Sequence, residues 1–273
     1  MKHCIRTDLA CEREGGARRG EYRLHGCRVC EVTERLAGES VRYASVYLSP
    51  AGAEQAPVRA VAQVLANTAA RLVSQPRCVL VACLGNPRIT PDSLGPCTAH
   101  RLQVTRHVQL LDAAAFARFG KGALCAVAPG VLGDTGIESA EFVRGVAKEV
   151  GAELVVAVDA LAASNRDHIG ALVQISDHGL RPGAGVGNRR VAIDAGSIGC
   201  PVISLGMPTV IDCGTLLGDA LLRAGICGVG EELEQYLASV GRYLVAPVDI
   251  DRVVLQGGAL LADAIGACFG PGK

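Results

Sequence analysis

Two aspartates, Asp92 and Asp159, stand at positions where a carboxylate could take part in chemistry. Asp159 directly follows five apolar residues, 154–158, so we expect it at the tip of a buried strand. Asp92 lies in a loop punctuated by proline and glycine, just before an expected helix start, where aspartate is also an ordinary cap. A structural role stays open for both residues, and more so for Asp92, because buried carboxylates are rare unless they are paired.

Two carboxylates held together in a partly dry crevice do not ionise independently. One keeps its proton, and the other acts as a general base toward water, which is hydrolytic chemistry. The same oxygen-rich crevice is also suited to a divalent metal ion that lowers the pKa of a bound water. The residue types alone leave both hypotheses open.

The elements that must position these aspartates are short, almost wholly apolar runs, which are typical of parallel strands buried on both faces. They cover residues 78–84, 124–128, 154–158 and 202–205, with a possible further strand at 172–175. Helical patterns at 139–150 and 215–224 accompany them. In an open α/β sheet ligands bind at the carboxyl ends of the strands. We therefore expect the site in the loops after the strands, which all carry a carboxylate: residues 85–95, 129–138, 159–161 and 206–212.

The two ends of the chain extend this α/β core. Alternating residues in the first 50 predict two strands or a hairpin, and apolar residues at helical spacing predict a helix over 54–73. Two further helical patterns cover 231–240 and 249–269. We interpret residues 1–273 as a single domain with three parts, namely N-terminal strands and helix (1–76), the core sheet (77–224) and C-terminal helices (225–273).

Composition and motifs exclude several classes of function. Lys+Arg and Asp+Glu balance at 27 each with no basic block, which disfavours nucleic acid as a partner, and no apolar run approaches the length of a membrane span. Twelve cysteines without an apolar leader indicate reduced cytosolic thiols, and Cys27 and Cys30 have an offset that places them on opposite faces of a strand. The glycine-rich residues 183–188 lack the lysine of a phosphate loop. Neither HExxH nor GxSxG is present.

Several long blocks resemble, in the same order, the germination protease family of spore-forming bacteria. They are IRTDLA (5–10), CLGNPRITPDSLGP (83–96), VTRHV (104–108), APGVLGDTGIESAEFVRGV (128–146), DALAA (159–163), VQISDHGLRPGAGVGNRR (173–190), GCPVISLGMPTVID (199–212) and YLVAPVDIDRVV (243–254). The family consists of aspartic-type endopeptidases that degrade small acid-soluble spore proteins. The resemblance implies that Asp92 and Asp159 match the two catalytic aspartates of the family.

The resemblance also implies a three-layer α/β/α fold with a mostly parallel sheet, similar to that of the hydrogenase maturation proteases, and a homotetramer. We expect a cytoplasmic enzyme of the spore core that cleaves small acid-soluble spore proteins during germination, without a metal or other cofactor. The alternatives are a metal-dependent maturation-type protease and a non-catalytic oligomeric scaffold. Only four residues precede Ile5, so we expect no removable propeptide.

Overall fold

The computed structural model describes residues 6–13, 17–36, 38–48, 55–183, 190–226 and 229–271. Within these residues nine strands form one sheet. In chain order the strands are β1 (Arg18–Leu24), β2 (Cys27–Leu36), β3 (Glu39–Tyr47), β4 (Cys78–Cys83), β5 (Ala123–Val127), β6 (Leu154–Ala163), β7 (Leu172–Ser176), β8 (Val202–Asp212) and β9 (Leu244–Val245). Their spatial order is β1-β2-β3-β7-β8-β6-β4-β5, with β9 paired to β8.

The sheet is mixed, and its parallel part contains the four strands predicted from the apolar runs. The pairs β4–β5, β4–β6 and β6–β8 are parallel, whereas β7 and the N-terminal strands join in antiparallel pairs. The predicted α/β class is therefore confirmed. Three of the eight strand pairs among the described residues are parallel, all in the half of the sheet that positions Asp92 and Asp159. The sheet is therefore mixed and not mostly parallel as expected, because β7, β9 and the N-terminal strands add antiparallel pairs.

Strands β6 and β8 are longer than the apolar runs indicate. They stay paired from Val155 and Val202 onward, through Asp159 opposite Gly206 and past a bulge after Leu161. The prediction that Asp159 and residues 206–212 lie in loops is thus wrong, because both segments are inside strands. Glycine and proline in residues 206–208 interrupt the apolar pattern, yet Pro208 lies opposite Leu161 at the bulge, a place where a strand tolerates proline.

Helices cover both faces of the sheet. They are α1 (Ala56–Leu72), α2 (Leu94–Arg101), α3 (Arg106–Leu111), α4 (Ala113–Ala117), α5 (Leu132–Thr135), α6 (Ser139–Val150), α7 (Ala195–Ile198), α8 (Cys213–Arg223), α9 (Glu231–Val240) and α10 (Ile250–Phe269). Short 3-10 turns occur at Ala10–Glu12, Thr90–Asp92 and Arg166–His168. The helices predicted over 139–150 and 231–240 have the predicted bounds. The other predicted helices, α1, α8 and α10, differ from their predicted bounds by one or two residues at one or both ends.

Alternation along β4 shows how the three layers are held together. Val79 and Val81 pack into the cluster formed with α1 and α10, whereas Leu80 and Ala82 pack into the cluster formed with α6. Successive side chains of a strand point to opposite faces, so a strand between two helical layers is apolar at every position. The predicted α/β/α layering is confirmed.

The N-terminal region contains one more strand than predicted. Residues 18–36 form two strands, β1 and β2, joined by a two-residue turn at His25 and Gly26 with φ angles of 51° and 86°. Positive φ at both central residues is the signature of the tight hairpin turn whose twist matches that of the strands. Cys27 and Cys30 of β2 pack into different apolar clusters, as their offset predicts.

Helix α10 is long and apolar enough to cross a membrane by length and composition alone. It lies against α1 and α2, and residues such as Val254, Leu261 and Ile265 are buried in the core cluster or at its edge. Gly257 and Gly258 allow close approach, since a Cβ atom at Gly258 would stand 2.9 Å from the Cβ of Cys97 on α2. These contacts are those of a core helix.

Candidate active site

The loop after β4 places Asp92 by backbone contacts. The Asn86 N–H lies 3.1 Å from the Asp92 carbonyl oxygen and 2.8 Å from its Oδ2, and donates to both. The Thr209 hydroxyl, fully buried on β8, donates to the Pro91 carbonyl oxygen at 2.7 Å. The side chain of Asp92 accepts a loop N–H and does not cap α2, whose N-cap residue is Ser93. Asp92 therefore does not have the helix-cap role that the sequence left open.

Asp159 lies in β6, one residue beyond the last position at which β6 pairs with β4. Val158 is paired with Cys83, and the Leu84 N–H donates to the Val158 carbonyl oxygen at 2.8 Å. Strand β4 ends at Cys83, and the loop that carries Asp92 follows it. Asp159 is only 7% exposed, and its Oδ1 accepts the N–H of Ala160 at 2.9 Å.

A cavity of about 410 Å³ brings Asp92 and Asp159 together. Asp8 and Arg190 share its wall. Apolar and small residues complete the lining, among them Leu84, Ile89, Val131, Leu161 and Val210. The two aspartates singled out in the sequence thus face one cavity at the carboxyl ends of parallel strands, where an open α/β sheet binds its ligands.

The electrostatics of the two carboxyl groups differ. Burial raises the pKa of Asp159 well above its usual range, and the negative charges of Asp92 and Asp8 raise it further. Burial also raises the pKa of Asp92, but the hydrogen bond from Asn86 and the charge of Arg190 oppose that change. Burial and the neighbouring carboxylates therefore favour the neutral form of Asp159.

Asp8 is the residue of this site that sequence reasoning missed. It lies 151 positions before Asp159 in the chain, and no spacing or periodicity connects the two. The N-terminal segment, residues 6–13, brings Asp8 to β6, where its N–H donates to the Ala162 carbonyl oxygen at 2.9 Å. The only signal of Asp8 in the sequence is the IRTDLA block (5–10), which contains this aspartate.

A second cavity, of about 260 Å³, adjoins the first. The two cavities share Asp8, Asp159, Leu161 and Gly183 in their linings. The second cavity is otherwise more polar and is lined in addition by Arg13, Gln174, His178, Arg181 and Asp194. Asp159 therefore has space for a ligand on two sides.

The other carboxylates of the predicted loops have different environments. Asp134 forms an ion pair with Arg88 at 3.5 Å outside the cavity lining, and Asp212 caps α8 by accepting the Thr215 N–H at 2.8 Å. Within the part of the chain that the structure describes, no group of three His, Cys, Asp or Glu side chains is placed to hold a metal ion. Of the glycine-rich residues 183–188, all but Gly183 lie outside the described residues.

Two unlike carboxyl groups beside a cavity, at the edge of an α/β/α sheet, are an arrangement compatible with hydrolytic chemistry. Comparison with known proteins identifies the hydrolase class as protease: the family model described as germination protease matches residues 50–263. The chain belongs to the germination protease family. Its curated relatives carry that same description.

The relatives are similar to this chain over most of its length. The germination protease of Clostridium perfringens is 34% identical over 240 residues, which cover 77% of this chain and 72% of the relative. That of Clostridium acetobutylicum is 34% identical over 80% of this chain and 73% of the relative. That of Caldanaerobacter subterraneus is 44% identical over 59% of this chain and half of its own length.

Among solved structures, the chain is similar to the NiFe hydrogenase maturation protease HycI from Thermococcus kodakarensis. The superposition covers 70% of this chain and 98% of that protein, with 14% identity and a TM-score of 0.34. The description of the fold therefore rests on the strand order and the helical layers given above.

Proposed function

We propose that this protein is an aspartic-type endopeptidase that hydrolyses small acid-soluble spore proteins during germination, with Asp92 and Asp159 activating a water molecule. The observation that carries the proposal is the pairing of a nearly inaccessible carboxyl group, Asp159, with a second one, Asp92, at one cavity. A carboxyl pair of this kind shares one proton, because two adjacent negative charges in a dry site repel each other.

The unlike environments suggest a division of roles. Asp159, buried and beside two other carboxylates, is the protonated partner and serves as general acid. Asp92, which accepts the Asn86 N–H and is partly exposed, is the ionised partner and serves as general base. As the two groups are coupled, their titration belongs to the pair and not to either residue alone.

The proposed reaction balances with one water and no further reagent. Asp92 removes a proton from water as the water oxygen attacks the peptide carbonyl carbon, and Asp159 gives its proton to the carbonyl oxygen. Asp92 then passes its proton to the peptide nitrogen as the C–N bond breaks, and Asp159 takes back a proton from one hydroxyl group of the tetrahedral intermediate, whose oxygen becomes the carbonyl oxygen of the new carboxylic acid. The pair returns to its starting protonation state.

The two adjoining cavities support cleavage inside a chain. Asp159 lines both of them, so residues on each side of a scissile bond have space along the same face of the site. The first cavity offers apolar side chains such as Ile89 and Val131, and the second offers mostly polar ones. An endopeptidase needs this two-sided access, whereas a site closed on one side would trim chain ends.

The proposal includes three properties that the family resemblance implies. They are small acid-soluble spore proteins as substrates, a location in the spore core and a homotetrameric assembly. No metal, other cofactor, nucleic acid or membrane is part of it. Side chains such as Leu111 and Val248, which are 85% and 106% exposed, are apolar surface that contacts between copies would cover.

The test is incubation of the purified protein with a small acid-soluble spore protein, followed by mass spectrometry of the fragments. We expect internal cleavage by the wild type, and a loss of about 10²- to 10⁴-fold or more for Asp92→Asn and for Asp159→Asn. Asp263→Asn is the matched control, because Asp263 is exposed on α10 and lines neither cavity. Near wild-type turnover in either site variant would remove that residue from the mechanism.

A parallel reaction in EDTA separates the metal-dependent alternative. Cleavage is expected to continue at an unchanged rate, since the proposed proton transfers need only the two carboxyl groups. Activity that disappears in EDTA and returns with one added divalent cation would instead support the maturation-type protease.

A further inference from the structure

A third cavity, of about 650 Å³, lies at the opposite end of β4 from the candidate active site. Val79 near the start of β4 lines it, whereas Leu84 just after the end of β4 lines the cavity of Asp92 and Asp159. The two residues are five positions apart along an extended chain, which is roughly 16 Å. We call this third cavity, formed between α1, the loop 75–77, α4 and the end of α10, the distal cavity.

Apolar side chains from three helices form most of the wall of the distal cavity. Ala66 and Ala70 lie on the side of α1 that faces it, Phe116 belongs to α4, and Phe269 ends α10. Phe116 packs edge to face on Phe119, with ring centroids 5.7 Å apart, and Phe269 is only 8% exposed. The wall therefore consists of side chains that are held by packing.

Backbone contacts hold the floor of the distal cavity. The Ala123 N–H donates to the Arg77 carbonyl oxygen at 2.7 Å, where β5 begins beside β4. Gly122 lies so close to Pro76 that a Cβ atom on Gly122 would stand 2.1 Å from the Pro76 carbonyl oxygen. A preformed site loses less free energy in ordering when it binds. The volume of the distal cavity also lies within the range of about 300–1,000 Å³ that is typical of small-molecule sites.

The charged side chains at the distal cavity are cationic. Arg77 and Lys121 line it, and no Asp or Glu side chain within the described part of the chain does. The Arg77 guanidinium is paired with Glu153 at 2.5 Å, which leaves Lys121 as the cation for a ligand. The Lys121 ammonium donates to the Ala267 carbonyl oxygen at 2.8 Å, and an ammonium group has three N–H donors. It can therefore bind an anionic group at the rim while it keeps its contact with α10.

We propose that the distal cavity binds an amphiphilic anion with a single alkyl chain, of which a medium-chain fatty-acid carboxylate is the simplest example. The carboxylate binds the Lys121 ammonium, and the alkyl chain lies along α1. The lining of α1 extends from Ala66 to Val73, which is roughly 10 Å of helix, so an extended chain covers this wall better than a compact ring. The proposal concerns binding alone and does not rest on the proposed function, because no described residue lines both the distal cavity and the cavity of Asp92 and Asp159.

The test uses a fluorescent reporter in the wall of the distal cavity. The sequence contains no Trp, so Phe116→Trp introduces a single one. Titration of this variant with sodium decanoate, below the concentration at which decanoate forms micelles, is expected to give a saturable change in emission. Decan-1-ol has the same chain without the charge and should bind about 10-fold more weakly. Octanoate should bind roughly 15-fold more weakly than decanoate, because two fewer methylene groups are buried.

Two substitutions separate the head group from the chain. Lys121→Met removes the ammonium group and keeps an apolar stem, so decanoate and decan-1-ol should bind this variant equally. Ala70→Phe, at an exposed position of α1, fills the cavity and should weaken both ligands by about 10-fold or more. Lys148→Met and Ala238→Phe, at exposed positions of α6 and α9 that do not line the distal cavity, are the matched controls. Both controls should keep the affinities of the reporter protein.

Calorimetric titration of the wild type with decanoate keeps the proposal testable if Phe116→Trp does not fold. Absence of saturable binding to the folded wild type overturns the proposal, and it is also the result expected if a second copy of the chain covers the distal cavity. Decanoate binding that is as tight in Ala70→Phe as in the wild type overturns the location of the site. A preference for decanoate over decan-1-ol that persists in Lys121→Met overturns the assignment of the head group to Lys121.

Discussion

Gly85 lies so close to Asp92 that a Cβ atom on Gly85 would stand 1.9 Å from the Asp92 carbonyl oxygen. The φ angle of Gly85 is +115°, in the region that residues with a side chain rarely adopt. The loop after β4 folds back on this glycine, and the neighbouring Asn86 N–H reaches the Asp92 carboxylate. The position of one candidate catalytic residue thus depends on the absence of a side chain seven residues earlier.

Replacing Gly85 with alanine is expected to displace the Asp92 loop. Positive φ costs roughly 1–2 kcal/mol for a residue with a side chain, and overpacking adds about 1–3 kcal/mol. We expect a lower free energy of unfolding by thermal or urea denaturation, together with a drop in kcat of about 10²-fold, because small displacements at a reacting centre are costly. Gly145→Ala in α6, where an added Cβ meets nothing within 4 Å, should leave cleavage unchanged and slightly stabilise the helix.

Asp159→Asn is expected to abolish cleavage and to stabilise the protein at neutral pH. Burial and the charges of Asp92 and Asp8 raise the pKa of Asp159 above its unfolded value of about 3.9. Between these two pKa values the folded state binds more protons than the unfolded state, so stability falls as pH rises through that window. Asparagine does not titrate and escapes this loss. Melting temperatures of the two proteins from pH 4 to pH 8 measure the effect.

The pH dependence of the stability difference identifies its cause as the titration of Asp159. The difference in melting temperature between Asp159→Asn and wild type should grow as pH rises from 4, whereas Asp263→Asn should show a constant difference. An Asp159→Asn protein that is less stable than wild type at every pH would contradict this prediction. It would indicate that contacts of the Asp159 carboxyl group stabilise the fold.

Glu12 anchors the N-terminal segment to the loop after β6, and its loss is expected to release that segment. Its two oxygens accept the Ser164 N–H at 2.7 Å, the Asn165 N–H at 2.9 Å and hydrogen bonds from Thr7 and Ser164 hydroxyls, while His168 Nδ1 lies 2.6 Å away. Glu12→Gln turns one acceptor into a donor that faces other donors. We expect a loss of about 1–3 kcal/mol in the free energy of unfolding, measured by urea denaturation.

The pH dependence of that loss checks its cause. Burial raises the pKa of Glu12, but its hydrogen bonds with His168, Thr7, Ser164 and Asn165 outweigh burial and lower it. The stabilisation is therefore present above the unfolded pKa of Glu12 and disappears as pH falls through the folded pKa. The difference between wild type and Glu12→Gln should shrink in acid. Glu149→Gln, at an exposed position of α6, should show no such dependence.

The core of the fold was predictable because buried parallel strands and amphipathic helices leave continuous local patterns. Strand β4 and helix α6 are examples, and the apolar run 154–158 predicted a buried strand immediately before Asp159. The extension of β6 and β8 was not predictable in the same way. The two strands stabilise each other through residues that include Gly206 and Pro208, which by themselves predict a loop.

The candidate site was predictable only in part, for a related reason. Asp92 and Asp159 each follow a predicted strand, so the rule that ligands bind at strand ends finds them. Asp8 reaches the site through hydrogen bonds with Ala162 and Gln174, residues more than 150 positions away, and no local pattern encodes such a contact. The tight turn at His25 and Gly26 was missed because β1 and β2 read as one alternating run.

The hydroxyl group of Thr209 gives the sharpest test of how the Asp92 loop is held. Thr209 is fully buried on β8, and its Oγ1 donates to the carbonyl oxygen of Pro91, the residue before Asp92. Thr209→Val keeps the shape of the side chain but leaves that carbonyl oxygen without its donor, which costs about 1–3 kcal/mol. We expect kcat to fall by a larger factor than KM rises, since Pro91 directly precedes the reacting group of Asp92, although Ile89 of the same loop also lines the cavity.

Thr209→Ser is the matched control for this prediction, because it keeps the hydroxyl group and removes only a methyl group. It should restore most of kcat while showing a modest loss of stability from the small cavity it leaves. Steady-state kinetics of both variants with a spore-protein substrate, alongside their melting temperatures, separate the two effects. Equal losses of kcat in the valine and serine variants would show that packing at β8, and not the hydrogen bond to Pro91, positions Asp92.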